Sequence, residues 1–389
     1  MRIYLDYNAT APVAPGVADA VCHVLTDEPG NPSSIHAFGQ RAKARLDETR
    51  HAVAALIGAP ASEIVLTGGG TEAINLAVRG VAEATESSGR RHLIASAIEH
   101  EAVLVTLKSL ERRGWRVTLL PVDRSGLVSP AVLEGVIDDD TALVSVMHAN
   151  NEIGTIQPVT DLAALARAKG ALFHTDAVQS VGKIPVDAAA LGVDLLSLSG
   201  HKFGAPKGTG ALWVRRGVRV TSQLTGGRQE RSRRAGTENT AGLAGLGVAA
   251  RYAKDTLVES AVRVARLRDQ LESAILASVP GTVVNGDTST RVPNTSNISF
   301  DGIEAESLLI ALDLEGVAIS TGSACSSGTL EPSHVLQAMG LPAPRTRNSL
   351  RFSLGPATTA DEIAFVAAKI PMLVEKLRRL TRRVAEVAR

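Results

Sequence analysis

Cysteine is nearly missing from this chain: Cys22 and Cys325 are the only two in 389 residues. Two thiols cannot staple a fold of this length, so a disulfide framework is excluded and each cysteine needs its own explanation. An excess of one charge is also missing. Lys and Arg number 41 and Asp and Glu 40, and the resulting net charge of +1 offers no electrostatic footprint for nucleic acid. No run of like charges marks a tail. No uninterrupted apolar segment reaches the length that crosses a bilayer, and Met1-Arg2-Ile3-Tyr4-Leu5-Asp6 has no apolar signal region. Together these absences predict a cytoplasmic protein that binds neither nucleic acid nor membrane. Internal repeats and low-complexity segments are lacking too.

What is present is alternation. From Glu63 onward, apolar runs of strand length alternate with helical patterns: strands at Glu63–Thr67, His92–Ser96, Val117–Val122, Ala142–Met147, Leu172–Asp176 and Asp194–Ser199, with helices at Thr71–Ala84, Glu99–Arg113, Pro130–Ile137 and Thr160–Lys169. The strands are continuous apolar runs, which predicts helices on both faces of a mostly parallel, doubly wound α/β sheet. Before them come a first helix to about Leu25 and a longer one from His36 to Ile57, for which Ser34 is the expected cap. One helical stretch runs from Asn239 to Val279. After it the order changes to strand Thr295–Phe300, helix Glu304–Leu314, strands Val317–Ser320 and Leu350–Leu354, and a final helix from Asp361 that keeps one apolar face despite Pro371. The expected organisation is a large domain at 12–257 with a seven-stranded type of sheet, and a smaller α+β domain formed by 1–11 and 258–389.

The two cysteines read differently. Cys22 lies in a helical pattern, where a small buried thiol is the ordinary expectation. Cys325 lies in Ser323-Ala324-Cys325-Ser326-Ser327-Gly328, a small polar segment with nothing to bury the sulfur, where a reactive thiol belongs.

Three loops fall where the strands of such a sheet end, which is where open α/β sheets bind ligands. Thr67-Gly68-Gly69-Gly70-Thr71-Glu72 leads from strand into helix and can hold a phosphate on bare amides, although it matches neither known phosphate fingerprint. Asp176 ends a buried strand and needs a cationic partner, such as a protonated ring nitrogen, or a set of hydrogen bonds. Ser199-Gly200-His201-Lys202 places an amine at the end of another apolar strand, where desolvation lowers its pKa toward what a Schiff base with an aldehyde requires. Lys207, a few residues on, reads as a solvated loop lysine. A phosphate cup, an acid for a pyridinium and a Schiff-base lysine are together the parts for pyridoxal 5'-phosphate.

The motifs then become specific. Tyr4-Leu5-Asp6-Tyr7-Asn8-Ala9-Thr10, Gly30-Asn31-Pro32-Ser33-Ser34, Gly69-Gly70-Thr71-Glu72, Glu99-His100, His148-Ala149-Asn150-Asn151-Glu152-Ile153-Gly154, Ser199-Gly200-His201-Lys202, Arg234-Ala235-Gly236-Thr237-Glu238-Asn239 and Ser323-Ala324-Cys325 resemble, in order, the cysteine desulfurases of the NifS/IscS type. These are class V aminotransferases with the fold of the fold-type I pyridoxal phosphate-dependent transferases. The resemblance implies a homodimer that converts L-cysteine to L-alanine and a persulfide on Cys325. It makes Lys202 the cofactor lysine, Asp176 the pyridinium partner, Gln179 the donor to the phenolic oxygen, and Gly70, Thr71, Ser199 and His201 the phosphate site, reached by Thr237 from the neighbouring subunit. His100 stacks on the ring and carries protons, Asn151 and Arg351 face the substrate, and Asn31 is a further substrate candidate. The segment Ser320–Pro332 resembles the long-loop subgroup, but the chain shows no counterpart of the C-terminal extension of IscS-like members. The sulfur acceptor is therefore left open between an iron-sulfur scaffold and a thiolation carrier. A selenocysteine lyase, an ordinary aminotransferase and a nonenzymatic partner protein on the same fold are the alternatives.

Overall fold

A computed structural model of the chain describes residues 2–322 and 332–387. The first strand, β1 (Ile3–Tyr4), is followed by α1 (Val17–Asp27) and α2 (Ala37–Leu56). Alternation then begins: β2 (Ile64–Thr67), α3 (Gly70–Thr85), β3 (His92–Ser96), α4 (Glu101–Glu111), β4 (Arg116–Leu120), α5 (Pro130–Glu134), β5 (Thr141–Ser145), α6 (Val159–Ala168), β6 (Leu172–Asp176), β7 (Leu195–Ser199) and β8 (Gly210–Val214). A short turn of helix, α7 (Gln229–Ser232), leads into the 39-residue α8 (Thr240–Ser278). The remainder comprises β9 (Thr282–Asn285), β10 (Thr295–Phe300), α9 (Ala305–Leu314), β11 (Val317–Ala318), α10 (His334–Ala338), α11 (Ala343–Arg347), β12 (Ser349–Ser353) and α12 (Ala360–Val387).

Seven strands form the main sheet in the order β2-β8-β7-β6-β5-β3-β4. All of these run parallel except β8, which is antiparallel to both of its neighbours, β2 and β7. The continuous apolar runs have the expected cause. Alternate residues of each strand enter opposite layers: Val65, Leu143, Leu195 and Leu212 pack beneath α3 and α4, while Leu66, Val144, Leu196 and Trp213 pack beneath α2, α6 and α8. The edge strand β4 departs from this pattern, with Leu119 exposed and Arg116 at its start, as an unpaired edge requires.

A second core gathers around the three-stranded antiparallel sheet β12-β10-β9, where Ile298, Phe300, Leu350 and Phe352 meet α8, α9 and α12. β1 pairs in parallel with β11, so the start of the chain is built into this second core. α12 continues through Pro371 and buries Ile363, Val366, Ile370 and Val374. Among the described residues no helix is long and apolar enough to cross a membrane.

Two local expectations need correction, and β9 was not foreseen. Cys22 is exposed, because α1 turns only its Val17 and Val24 face inward and Cys22 points away from it. The cap of α2 is His36, whose Nδ1 accepts from the Gly39 amide at 3.2 Å, and not Ser34. β9 is not among the expected strands: Val283 is exposed, and Asn285 is buried with its amide donating to Asn297 and Ser349 and accepting from Arg345.

The segment after β8 is anchored by a buried ion pair. The Arg50 guanidinium donates through both Nη atoms to Glu230 at 2.7 Å, Glu230 also accepts from the Leu66 amide at 2.8 Å, and Arg50 donates to the Ile64 carbonyl at 2.8 Å. This pair holds Glu230, Arg231 and Ser232 in the left-handed region, with φ of 45°, 57° and 61°, a conformation side chains rarely adopt without such support. Glu230→Ala leaves the Arg50 charge buried and uncompensated. It is expected to cost about 3–5 kcal/mol, read as a lowered urea midpoint with an unchanged m-value.

Candidate active site

The C-terminal ends of the parallel strands converge on one cleft of about 1460 Å³. β2 ends at Thr67 and passes through Gly68 and Gly69 into α3, β3 leads to Glu99 and His100, β5 to Asn151, β6 ends at Asp176, and β7 runs into the turn that carries Lys202. Gly70, Thr71, His100, Asn151, Asp176, Gln179, Ser199, His201, Lys202 and Arg351 all line it. Asn31 and Thr237 do not: both are exposed on loops outside the lining, Asn31 using its side chain to accept from the Ser33 amide at 2.9 Å. Cys325 lies outside the described residues. The chain approaches it through Thr321 and Gly322 and returns through Pro332 and His334, all four lining the same cleft.

The Lys202 ammonium donates to the carbonyls of Asn8 (2.7 Å) and Ala9 (2.8 Å). Burial, with the Arg351 charge beside it, lowers its pKa to about 8 against the pull of Asp176 and Asp6. Asp176 is 5% exposed and accepts from the Val178 amide at 2.9 Å, and burial pushes its carboxyl up. His201 is pushed down to about 4 by burial and the lysines around it, its Nδ1 lying 3.1 Å from the Thr10 hydroxyl. His100 caps α4 by accepting the Ala102 amide on Nδ1 at 3.1 Å, so in the neutral ring the proton sits on Nε2.

The start of α3 has no side-chain cap, leaving amides of its first turn free at the cleft. Position 70 is tight for anything larger than glycine, since a Cβ there would stand 3.0 Å from Val178 Cγ2 and 3.2 Å from Ser199 Cβ. Opposite, Arg351 donates to Asp6 (2.7 Å) and to the Asn151 carbonyl (3.0 Å), and its buried Nε has no partner among the described residues.

Residues 3–366 match the aminotransferase class-V family. The chain belongs to the class V aminotransferases. Within that family it groups with the cysteine desulfurases. It is 46% identical over 380 residues to cysteine desulfurase IscS of Dictyoglomus turgidum, covering 98% of this chain and 96% of that one. It is 47% identical to cysteine desulfurase IscS of Methanosarcina thermophila, over 97% of this chain and 93% of that one. Among solved structures, a NifS-like protein matches with a TM-score of 0.91 at 37% identity, covering 97% of this chain and all of that one (100%). SspA in complex with cysteine matches with a TM-score of 0.82 at 35% identity, over 92% and 100% of the two chains.

Class V aminotransferases are pyridoxal phosphate enzymes, and the donor set of this member fits that group. An uncapped helix start with no Cβ at Gly70 suits a phosphate, and a buried carboxylate with one backbone donor has room for a cationic ring nitrogen. An amine titrating near 8 suits attack on an aldehyde.

Several residues of this class V site were not legible as functional from their surroundings in the sequence. Asn8 is 2% exposed and takes hydrogen bonds from Lys202, Gln179, Lys183 and Asn294. Glu152 accepts the Ser333 hydroxyl at 2.6 Å, beside the returning end of the cysteine segment. Glu99 is fully buried, bonded to Ser96 (2.6 Å) and the Met147 amide (2.8 Å), and one of its oxygens has no partner among the described residues. The only signal for these three is their place in the motifs at Tyr7-Asn8-Ala9, Asn151-Glu152-Ile153 and Glu99-His100.

Burial pushes the Glu99 carboxyl up to about 8, above an unfolded value near 4.5. The folded state therefore binds the extra proton between these values, and the contribution of Glu99 to stability is full below about 4.5 and is lost as pH rises toward 8. Glu99→Gln, which cannot ionise, is expected to gain stability relative to the wild type as pH is raised from 5 to 8, by a few kcal/mol in urea titrations at each pH.

Proposed function

We propose that this chain is a pyridoxal phosphate-dependent cysteine desulfurase: a sulfurtransferase that takes sulfur from L-cysteine, releases L-alanine and holds the sulfur as a persulfide on Cys325. In this reading it works as a cytoplasmic homodimer of two-domain subunits, 12–257 and 1–11 with 258–389, and hands sulfur to an iron-sulfur scaffold or another acceptor protein. One observation carries the reading. A depressed-pKa amine, a buried acid, an uncapped helix start and a buried arginine share one cleft with both flanks of the cysteine-bearing segment.

Pyridoxal phosphate, when bound, supplies the electron sink that makes the α-proton of an amino acid removable. Lys202, Asp176, Gln179, His100 and Asn151 would hold its ring, and Gly70, Thr71, Ser199 and His201 its phosphate, with Thr237 of the second subunit. Lys202, neutral in a useful fraction close to neutral pH, takes the α-proton. Arg351, which lines the cleft, and Asn151 bind the substrate carboxylate, and Asn31 is a further candidate for that work. His100 carries protons through Nε2. The Cys325 thiolate attacks the substrate sulfur, so that an S–S bond forms as the C–S bond breaks. The electron pair stays on the substrate carbon and is protonated to give alanine, and no external oxidant is needed.

The purified chain with L-cysteine and a thiol reductant is expected to form alanine and sulfide in equal amounts without a 2-oxo acid. Cys325→Ser should lower both by about 100-fold or more while keeping the visible absorbance of the bound cofactor. Normal turnover by Cys325→Ser, or alanine formed only when a 2-oxo acid is added, would show that the assignment is wrong.

A further inference from the structure

One buried amine has no part in the reaction described above. Lys183 lies one helical turn after Gln179, in a segment closed by hydrogen bonds from Val181 N to Ala177 O and from Ile184 N to Ser180 O. Gln179 lines the cleft and Lys183 stands behind it. The Lys183 amine donates to Asn8 Oδ1 at 2.8 Å and to Gln179 Oε1, so both partners are amide oxygens and neither is a carboxylate.

The chemistry of these donors dictates orientation. Both contacts of the Lys183 amine are to amide oxygens, so an N–H group meets an acceptor at each. Oε1 of Gln179 must therefore face Lys183, and the amide NH2 must lie on the other side. One of its hydrogens goes to the Asn8 carbonyl at 3.0 Å, and the second is left for the cleft. The orientation of Asn8 is forced in the same way: its Nδ2 donates to the Asn151 carbonyl at 3.0 Å and to Thr295 at 2.8 Å, which leaves Oδ1 for Lys183 and Asn294. A flipped Gln179 would set oxygen against the Asn8 carbonyl and NH2 against the amine, two repulsive contacts in a buried place.

We propose that Lys183 is a positioning residue: by holding Oε1 of Gln179 it fixes that amide as a hydrogen-bond donor toward the cleft, where it meets an anionic oxygen of the bound cofactor. The proposal rests on the pyridoxal phosphate reading above and extends it to a residue outside the cleft lining. Without Lys183, one of the two contacts that hold the amide is lost and an acceptor orientation becomes accessible.

The test is a cycle of Lys183→Met, Gln179→Ala and the double variant, each loaded with pyridoxal phosphate. The readouts are the cofactor dissociation constant and the pH midpoint of its visible band, with melting temperature as a control for folding. Lys183→Met is expected to weaken cofactor retention about 5- to 10-fold, the worth of one buried hydrogen bond, and to move the midpoint in the same direction as Gln179→Ala. The double variant should be no worse than Gln179→Ala alone. Lys183→Arg, which keeps the donors, should stay within about 2-fold of the wild type. Additive effects, or wild-type retention and band in a folded Lys183→Met protein, overturn the proposal. If Lys183→Met fails to fold, Lys183→Gln enters the same cycle. A wild-type chain that gains no visible band sinks the function itself, whereas additivity in a chain that does gain one sinks only the role of Lys183.

Discussion

The site depends on how Asn8 is satisfied. Its backbone carbonyl accepts from Lys202 and Gln179, its amide oxygen from Lys183 and Asn294, its amide nitrogen donates to Asn151 and Thr295, and its backbone N–H reaches Ser353. A side chain buried this deeply is tolerated only with a full set of partners, because each unmet group costs a kilocalorie or more. Those partners come from both cores. One asparagine thus joins the ends of β6 and β7 to β10 and β12, and the cleft between the cores acquires a fixed width. Arg351 reinforces the link by pairing with Asp6 while donating to the Asn151 carbonyl.

Around this junction the electrostatics follow from desolvation. Lys202 loses affinity for its proton and Asp176 and Glu99 gain it, each moving toward the neutral form for want of water. That is the state in which an amine can act as a base. It is also a costly arrangement for a folded protein to keep, and the cost is met by the two dense layers of apolar side chains above and below the sheet.

Much of this was visible in the chain itself. Continuous apolar strands announced a parallel sheet with both faces covered, and Asp176, Lys202 and the glycines before Thr71 stood out because chemistry at strand ends has few structural excuses. The reversal of β8 was not legible, since Gly210–Val214 is as apolar as its neighbours and nothing local encodes direction. Cys22 misled because an amphipathic pattern shows that a helix has an inner face without showing how wide it is. Asn8 and Lys183 escaped notice for a different reason: the contacts that join Asn8 to Lys183, Asn294 and Thr295 cross 175 residues or more, which spacing cannot reveal, although Lys183 also meets Gln179 one turn away. Asn31 and Thr237 rested on family resemblance alone, and they lie outside the cleft of their own chain.

The parallel pairing of β1 with β11, together with the Asn8–Ser353 hydrogen bond 345 residues apart in sequence, also bears on how the protein is made. During synthesis the hairpin of β7 and β8 can form as soon as both strands emerge, so the turn that carries Lys202 is local and early, while the carbonyls that receive its amine come from Asn8 and Ala9 at the start of the chain. The first strand has no partner until β11 has left the ribosome, and closing so long a loop is slow. A stalled or truncated chain would carry the lysine and its glycine loop without Arg351 opposite them. The site is therefore finished last, after nearly the whole chain has been made.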